Sequence, residues 1–316
     1  MNGGKAMGER TIRVRVPGTS ANCGPGFDTL GLACNLYNDL ELTLSEKQQL
    51  EIDVIGEGAG NIPTDENNIV WRSVRYLLEK AGCAEIFRGA RILMHNNVPL
   101  SRGLGSSATA IVSGLKAANV LIGNRYNRHE LLQMGTDIEG HPDNVAPAIY
   151  GGFTISTIAK DGRAECFALT PKLHLQLVVA VPDFYLPTRE ARAVLPQTVS
   201  RQDAVYNISR AAMLAAALCR GNERFISEAL DDALHQPYRA QLIPGMYEVF
   251  AAAREAGALG ANLSGAGPCL IAYVSERQQA ASQVGQAMQE AFSRNGVKAS
   301  ILHLKLDTRG AHILNH

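Results

Sequence analysis

VPLSRGLGSSATA, Val98 to Ala110, places two glycines, Gly103 and Gly105, and two serines, Ser106 and Ser107, between an apolar strand-like segment and a long run of small and apolar residues. Read physically, this is a strand that ends in a glycine loop and passes straight into a helix. Glycines let backbone N–H groups approach an anion closely, and the free N–H groups and positive dipole end of the helix favour negative charge. The serine hydroxyls add groups that reach a phosphate or a metal ion. A second reading stays open on these residues alone, an ordinary glycine turn before a serine-capped helix. A P-loop is excluded, because no G-x-x-x-x-G-K-[ST] run occurs in the chain.

Working outward, the run from Ser106 to Ile122 is apolar or small nearly all round, which predicts a helix buried on most sides at the heart of its domain. Upstream, Ile12, Val14 and Val16 alternate as in a strand, as do LELTL (40–44) and LEIDVI (50–55), and 91–95 predicts the strand that feeds the loop. NNIVWRSVRYLLEKAG (67–82) carries Val70, Val74, Leu77 and Leu78 at helical spacing and stops at Gly82. Downstream, HELLQMGTDIEG predicts a helix and GGFTISTI (151–158) a strand. A polar turn, KDGR, precedes a domain boundary near Pro171, giving units over 1–170 and 171–316. The second unit begins with the strand LQLVVAVP and continues with helical stretches around 202–219, 222–234 and 245–256. It closes as strand, helix and strand, so strands and helices together predict an α+β fold.

The chain has 316 residues, 46% of them apolar, enough for two domains with substantial cores. Thirty basic residues balance thirty acidic ones, so no overall field favours nucleic acid or a membrane surface. The expected partner is a small molecule, with a homodimer left open. Six cysteines without a C-x-x-C pair argue against a zinc site or a disulfide framework and fit reduced cytoplasmic thiols. The opening MNGGKAMGER has no apolar stretch behind a basic end and no run of about 18 apolar residues occurs later, so neither secretion nor a membrane span is expected.

The pattern P-x-x-x-G-L-G-S-S-A resembles the phosphate loop of the GHMP kinases, the group of galactokinase, homoserine, mevalonate and phosphomevalonate kinases. PGTSANCGPGFDTLGLA (17–33) resembles the group's N-terminal motif in its homoserine-kinase form, and LSGAGPCLIAYV (263–274) its C-terminal glycine motif. With EGHPDNVAPAIYGGF between them, the resemblance spans nearly the whole chain. It implies a two-domain α+β architecture, an N-terminal domain like the second domain of ribosomal protein S5 joined to a ferredoxin-like domain, with the active site in the cleft. It also implies an ATP:L-homoserine O-phosphotransferase of threonine biosynthesis that uses Mg²⁺.

The resemblance assigns roles residue by residue. Pro99, Leu100, Ser101, Arg102, Gly103, Leu104, Gly105, Ser106 and Ser107 would bind the nucleotide. Ser107 and Glu139 would share the Mg²⁺ ion, which prefers oxygen ligands; read alone, Glu139 is also a helix-end carboxylate in water, and Glu130 is its rival. His141 and Asn144 would border the acceptor pocket, with Asn144 holding the hydroxyl and Asp143 structural, although these residues also read as the capped start of a short helix. Asp28 would take the substrate's amino group and Asn22 would lie near its hydroxyl end, where residues of this type otherwise satisfy their own turn. Thr188 and Arg192 in T-x-x-x-R-x-x-L-P, and Arg239 in HQPYRAQLIPG, would hold the α-carboxylate, since the guanidinium fork matches its two oxygens. As isolated arginines they read as surface residues. The rivals are a GHMP kinase for L-threonine or pantoate, and a non-catalytic sensor of the same fold.

Overall fold

In the computed structural model, which describes residues 10–314, β1 (Thr11–Ala21) and β2 (Leu30–Ser45) pair antiparallel, with a register shift between Pro17 and Gly18. β3 (Leu50–Gly56) leads to α1 (Ile69–Lys80), and β4 (Gly89–Asn96) then inserts between β2 and β3. α1 starts where the Asn68 side chain accepts from the amides of Val70 and Trp71, and it buries the face carrying Val70, Val74, Leu77 and Leu78. α2 (Ser106–Leu121), α3 (Arg128–Glu139) and α4 (Pro142–Tyr150) complete a helical layer over this sheet, and the hairpin of β5 (Phe153–Ile158) and β6 (Ala164–Leu169) extends it through pairing of β5 with β2. α2 is the central helix. From Ala108 to Leu121 every residue except Lys116 is buried, which matches its apolar run.

β2 is longer than its apolar C-terminal half predicts, because the polar residues that interrupt the pattern have partners on β1 and in the residues that follow β4. Asn38 accepts from the amides of Asn97 and Val98, and Asp39 holds Arg15 through two hydrogen bonds at 2.7 and 2.8 Å. Satisfied in this way, they cost little to bury.

The second sheet has the order β10-β7-β9-β8 and is antiparallel. It is built from β7 (Leu175–Pro182), β8 (Gly260–Leu263), β9 (Leu270–Ser275) and β10 (Ala299–Lys305). Between β7 and β8 lie α5 (Thr188–Ala193), α6 (Arg201–Arg220), α7 (Ile226–Ala229), α8 (Gln236–Arg239) and α9 (Met246–Glu255); α10 (Ala281–Arg294) joins β9 to β10. Alternation along β7 divides two cores. Leu177, Val179 and Val181 face Leu30, Leu32 and α6, while Val178 and Ala180 face α9 and α10.

Two sequence expectations change. The helix expected over 222–234 is only a 3₁₀ turn and the four-residue α7, because the Asp232 carboxylate takes the amides of Leu234, His235 and Gln236 and starts α8 instead. The division near Pro171 falls where the chain passes from one sheet to the other, but the second unit does not hold the chain to its end. β11 (His312–Ile313) returns to pair with β1 in the first sheet. Buried Asp307 governs that return. It accepts from the amides of Arg309 and Gly310 and from the Tyr37 hydroxyl at 2.9 Å. Asp307→Ala is therefore expected to destabilise the chain by about 2–3 kcal/mol in urea unfolding. A change below about 0.5 kcal/mol would show that the return does not depend on this carboxylate.

Candidate active site

The three glycine-containing segments meet at one place. The Gly103 carbonyl accepts the Ser264 hydroxyl at 2.7 Å, and Ser264 also touches the Ser20 hydroxyl at 2.8 Å. Backbone bonds run from Thr19 N–H to the Leu104 carbonyl, from Gly265 N–H to the Ala21 carbonyl and from Cys269 N–H to the Arg102 carbonyl. The packing is tight enough that a Cβ on Gly103 would lie 2.2 Å from the Ser264 carbonyl oxygen. One on Gly105 would lie 1.9 Å from the Thr19 hydroxyl, and both glycines have positive φ.

Beside this junction is a cavity of ≈ 300 Å³ between the two sheets' loops. One wall is the start of α2. Its cap is Gly105 and no side chain caps it, so Ser106 and Ser107 are the first helical residues rather than caps. By contrast, Asn127 and Glu130 form a reciprocal capping box at the start of α3, which accounts for Glu130 and removes it as a rival to Glu139. Ser107 donates to Glu139 at 2.7 Å, bringing the two oxygens together across 32 residues. Burial raises the Glu139 pKa above the ordinary carboxylate range, against the opposing pull of the Ser107 hydroxyl and His141.

The start of α4 supplies His141, Asp143 and Asn144. His141 Nδ1 bonds the buried Asp143 carboxylate; burial disfavours the imidazolium, but Asp143 and then Glu139 outweigh it and raise the His141 pKa. Asn144 Oδ1 accepts from the Thr19 hydroxyl at 2.8 Å, a contact across 125 residues. Asp28, His141 and Asp143 also have ligand atoms within 4.8 Å of one another, but Asp28 is already bonded to Arg192 and Asp143 to His141.

The opposite wall is cationic. Arg192 forms a two-pronged pair with Asp28 at 2.7 and 3.0 Å. Arg239 is only 1% exposed, and its guanidinium donates to the carbonyls of Ala191 and Gly265 and to His235 Nδ1. No carboxylate lies at ion-pair distance from it among the described residues, and burial followed by repulsion from Arg192 pushes its pKa down to about 10, so it remains a cation at neutral pH. The Phe27 ring lies 5.4 Å from each guanidinium. Asn22 is buried and spans the loop, donating to the Gly265 carbonyl at 2.9 Å and accepting from Asp28 N–H at 3.0 Å. Thr188 opens α5 at the cavity's edge.

Of the residues singled out in sequence, Asn22, Asp28, Ser101, Gly103, Gly105, Ser106, Ser107, Glu139, His141, Asn144, Thr188, Arg192 and Arg239 line the cavity. Four of the loop residues do not. Leu104 is in the core, Pro99 lines a separate groove, the Leu100 side chain lies by Gly58, and Arg102 points away to bond the Pro182 carbonyl and stack on Tyr185. Sequence reasoning missed Thr19, Ser264, Phe27 and His235. All four lie inside the motifs quoted above without being singled out, and His235 stands at the N-cap of α8, four residues before Arg239.

Models of the GHMP kinases N terminal domain and of the GHMP kinases C terminal region match residues 68–152 and 214–294. The fold and the cleft are thus those of a small-molecule kinase of the GHMP class. A homoserine kinase of Moorella thermoacetica is 48% identical over 95% of this chain and 99% of its own length, and one of Carboxydothermus hydrogenoformans is 44% identical over 95% and 96%. The crystal structure of homoserine kinase from Cytophaga hutchinsonii superposes with a TM-score of 0.87 at 33% identity, covering 98% of this chain and 99% of that one. The chain belongs to the GHMP kinase family, in its homoserine kinase branch. Among the described residues no helix is long and apolar enough to cross a membrane.

Gly105→Ala is expected to abolish measurable ATP binding in calorimetric titration and to cost about 1–3 kcal/mol of stability, because the methyl group needs the space of the Thr19 hydroxyl at a left-handed backbone position. Unchanged ATP affinity in this variant would show that the Gly105 turn does not shape the nucleotide site.

Proposed function

We propose that this chain transfers the γ-phosphoryl group of ATP to the side-chain hydroxyl of L-homoserine, giving O-phospho-L-homoserine for threonine biosynthesis. The observation that carries the reading is Arg239, a buried cation at the cavity wall with no carboxylate partner among the described residues. Burying a charge without a counter-ion is costly, so such a group fits a ligand that brings the missing anion. Asp28 and Arg192 beside it offer one group of each sign, a set that suits the amino group and carboxylate of an amino acid better than an uncharged alcohol or pantoate.

The uncapped start of α2 and the backbone from Gly103 to Ser107 suit the polyphosphate, which needs N–H donors and a positive dipole end. Ser107 and Glu139 fit a Mg²⁺ ion, since they present two oxygen donors already in contact and Mg²⁺ takes few protein ligands besides phosphate oxygens. When bound, the ion would neutralise charge on the transferred group. Asn144, fixed by Thr19, orients the acceptor hydroxyl. A loose transition state needs little early deprotonation of that hydroxyl, so an orienting amide suffices. Asp143 is occupied with His141 and serves as a buried structural and electrostatic group.

Magnesium-dependent ADP release tests the function: turnover with L-homoserine should far exceed that with L-threonine, pantoate or no acceptor. Absence of a homoserine-dependent rate would refute it and favour a sensor. Within the active enzyme, Glu139→Gln should lower turnover by orders of magnitude with the fold intact, and near-normal activity at ordinary magnesium would eliminate Glu139 as a ligand. Arg192→Leu and Arg239→Leu should each weaken homoserine use by about 2 kcal/mol or more. Unchanged apparent affinity in both would mean that the carboxylate binds elsewhere. Asn144→Leu should damage turnover more than Asp143→Asn; the reverse order, with both substrates still bound, would identify Asp143 as a base.

A further inference from the structure

His235 is fully buried and takes no part in the functions assigned above. Its Nε2 lies 2.7 Å from the Gly24 carbonyl and its Nδ1 lies 3.2 Å from Arg239 Nη1. A carbonyl oxygen only accepts and a guanidinium only donates. The two neighbours therefore dictate one state of the ring, neutral, with the proton on Nε2. A second proton on Nδ1 would face the N–H of Arg239 and put two cations together out of water. Burial works in the same direction and lowers the imidazole pKa, with Arg239 adding to it against Asp232.

The ring's position is itself tightly fixed. The backbone N–H of His235 is held by the Asp232 carboxylate at 2.9 Å, and that carboxylate also takes Asn207 Nδ2 at 2.7 Å. Asn207 Nδ2 also reaches the Pro25 carbonyl at 2.9 Å, so α6, the turn before α8 and the loop from Gly24 to Asp28 are tied together. The Phe27 ring packs 5.5 Å from the imidazole, centroid to centroid. A buried guanidinium has five N–H groups to satisfy. The Ala191 and Gly265 carbonyls take two of them, from Nε and from Nη1, and His235 takes the other proton of Nη1.

We infer that His235 is a positioning residue for substrate recognition: as a neutral acceptor it sets the orientation of the Arg239 guanidinium and so leaves Nη2 for the substrate carboxylate. Nη2 has no hydrogen-bond partner among the described residues. The inference rests on the homoserine reading of the site. It predicts that the acceptor at Nδ1, rather than the bond to Gly24, matters for affinity.

Two conservative replacements separate these bonds. Asn puts its amide oxygen near the place of Nδ1 and gives up the Gly24 bond; Gln puts its amide nitrogen near the place of Nε2 and gives up the acceptor. In steady-state assays, His235→Gln and His235→Leu should raise KM for homoserine by about tenfold or more, the worth of one charged hydrogen bond, with KM for ATP changed by less than about twofold. His235→Asn should hold homoserine KM within about threefold of the parent even where its melting temperature falls. The opposite order, Gln normal and Asn impaired, or parallel losses in both KM values, would reduce His235 to a structural residue and overturn the inference. Should the parent enzyme itself fail to turn over homoserine, the functional reading fails separately. A crystal structure of His235→Leu then still decides: a displaced Arg239 guanidinium supports the inference, and an unmoved one overturns it.

Discussion

The backbone of Gly265 is the point on which the site depends. Its N–H donates to the Ala21 carbonyl, and its carbonyl accepts from both Asn22 and Arg239 at 2.9 and 3.1 Å. One residue of the C-terminal half therefore holds the N-terminal loop and the buried cation in register. Its neighbour Ser264 holds the glycine loop before α2 through the Gly103 carbonyl. None of these partners lies close in sequence, so the cavity exists only when both sheets are assembled.

That construction explains how a chain with balanced charge recognises a charged ligand. The field at the cavity comes from a few oriented groups: the open end of α2, the Asp28–Arg192 pair and Arg239. Fixing Arg239 within carbonyls, His235 and the Phe27 face moves the cost of ordering and desolvating it into folding, where the cores of both domains offset it. A ligand carboxylate bound there, as proposed, would meet a cation already in place. The half-buried Asp28–Arg192 pair differs in kind: its side chains are about a third accessible, so rearrangement around a zwitterion costs less than at Arg239.

Much of this was legible in the sequence because it is local. The glycine loop, the serines after it and the apolar run that follows encode a loop feeding a buried helix, and the structure has that arrangement from Ser101 to Leu121. Helical spacing likewise marks α1 and α10. What was not legible depends on pairing at a distance. The polar stretch inside β2 reads as a break until Asn38 and Asp39 meet Asn97, Val98 and Arg15. Asp232 reads as part of a helix until it is seen capping the next one. Family resemblance gathered Ser107, Glu139, Asn144 and Arg239 into one list, but not Thr19 or His235, which lie in the same motifs and whose places follow only from their contacts with those residues.

The proposed function requires one cavity to hold the polyphosphate at the start of α2 and the amino-acid end of the acceptor at Arg239. The most direct measurement is a crystal structure with Mg²⁺, a non-hydrolysable ATP analogue and L-homoserine together. The γ-phosphate is expected against the amides of Ser106 and Ser107, the homoserine carboxylate on Arg239, and its side-chain hydroxyl between Asn144 and the phosphorus. Homoserine bound with its carboxylate away from Arg239, or a triphosphate anchored on another loop with Gly103 and Gly105 far away, would contradict it.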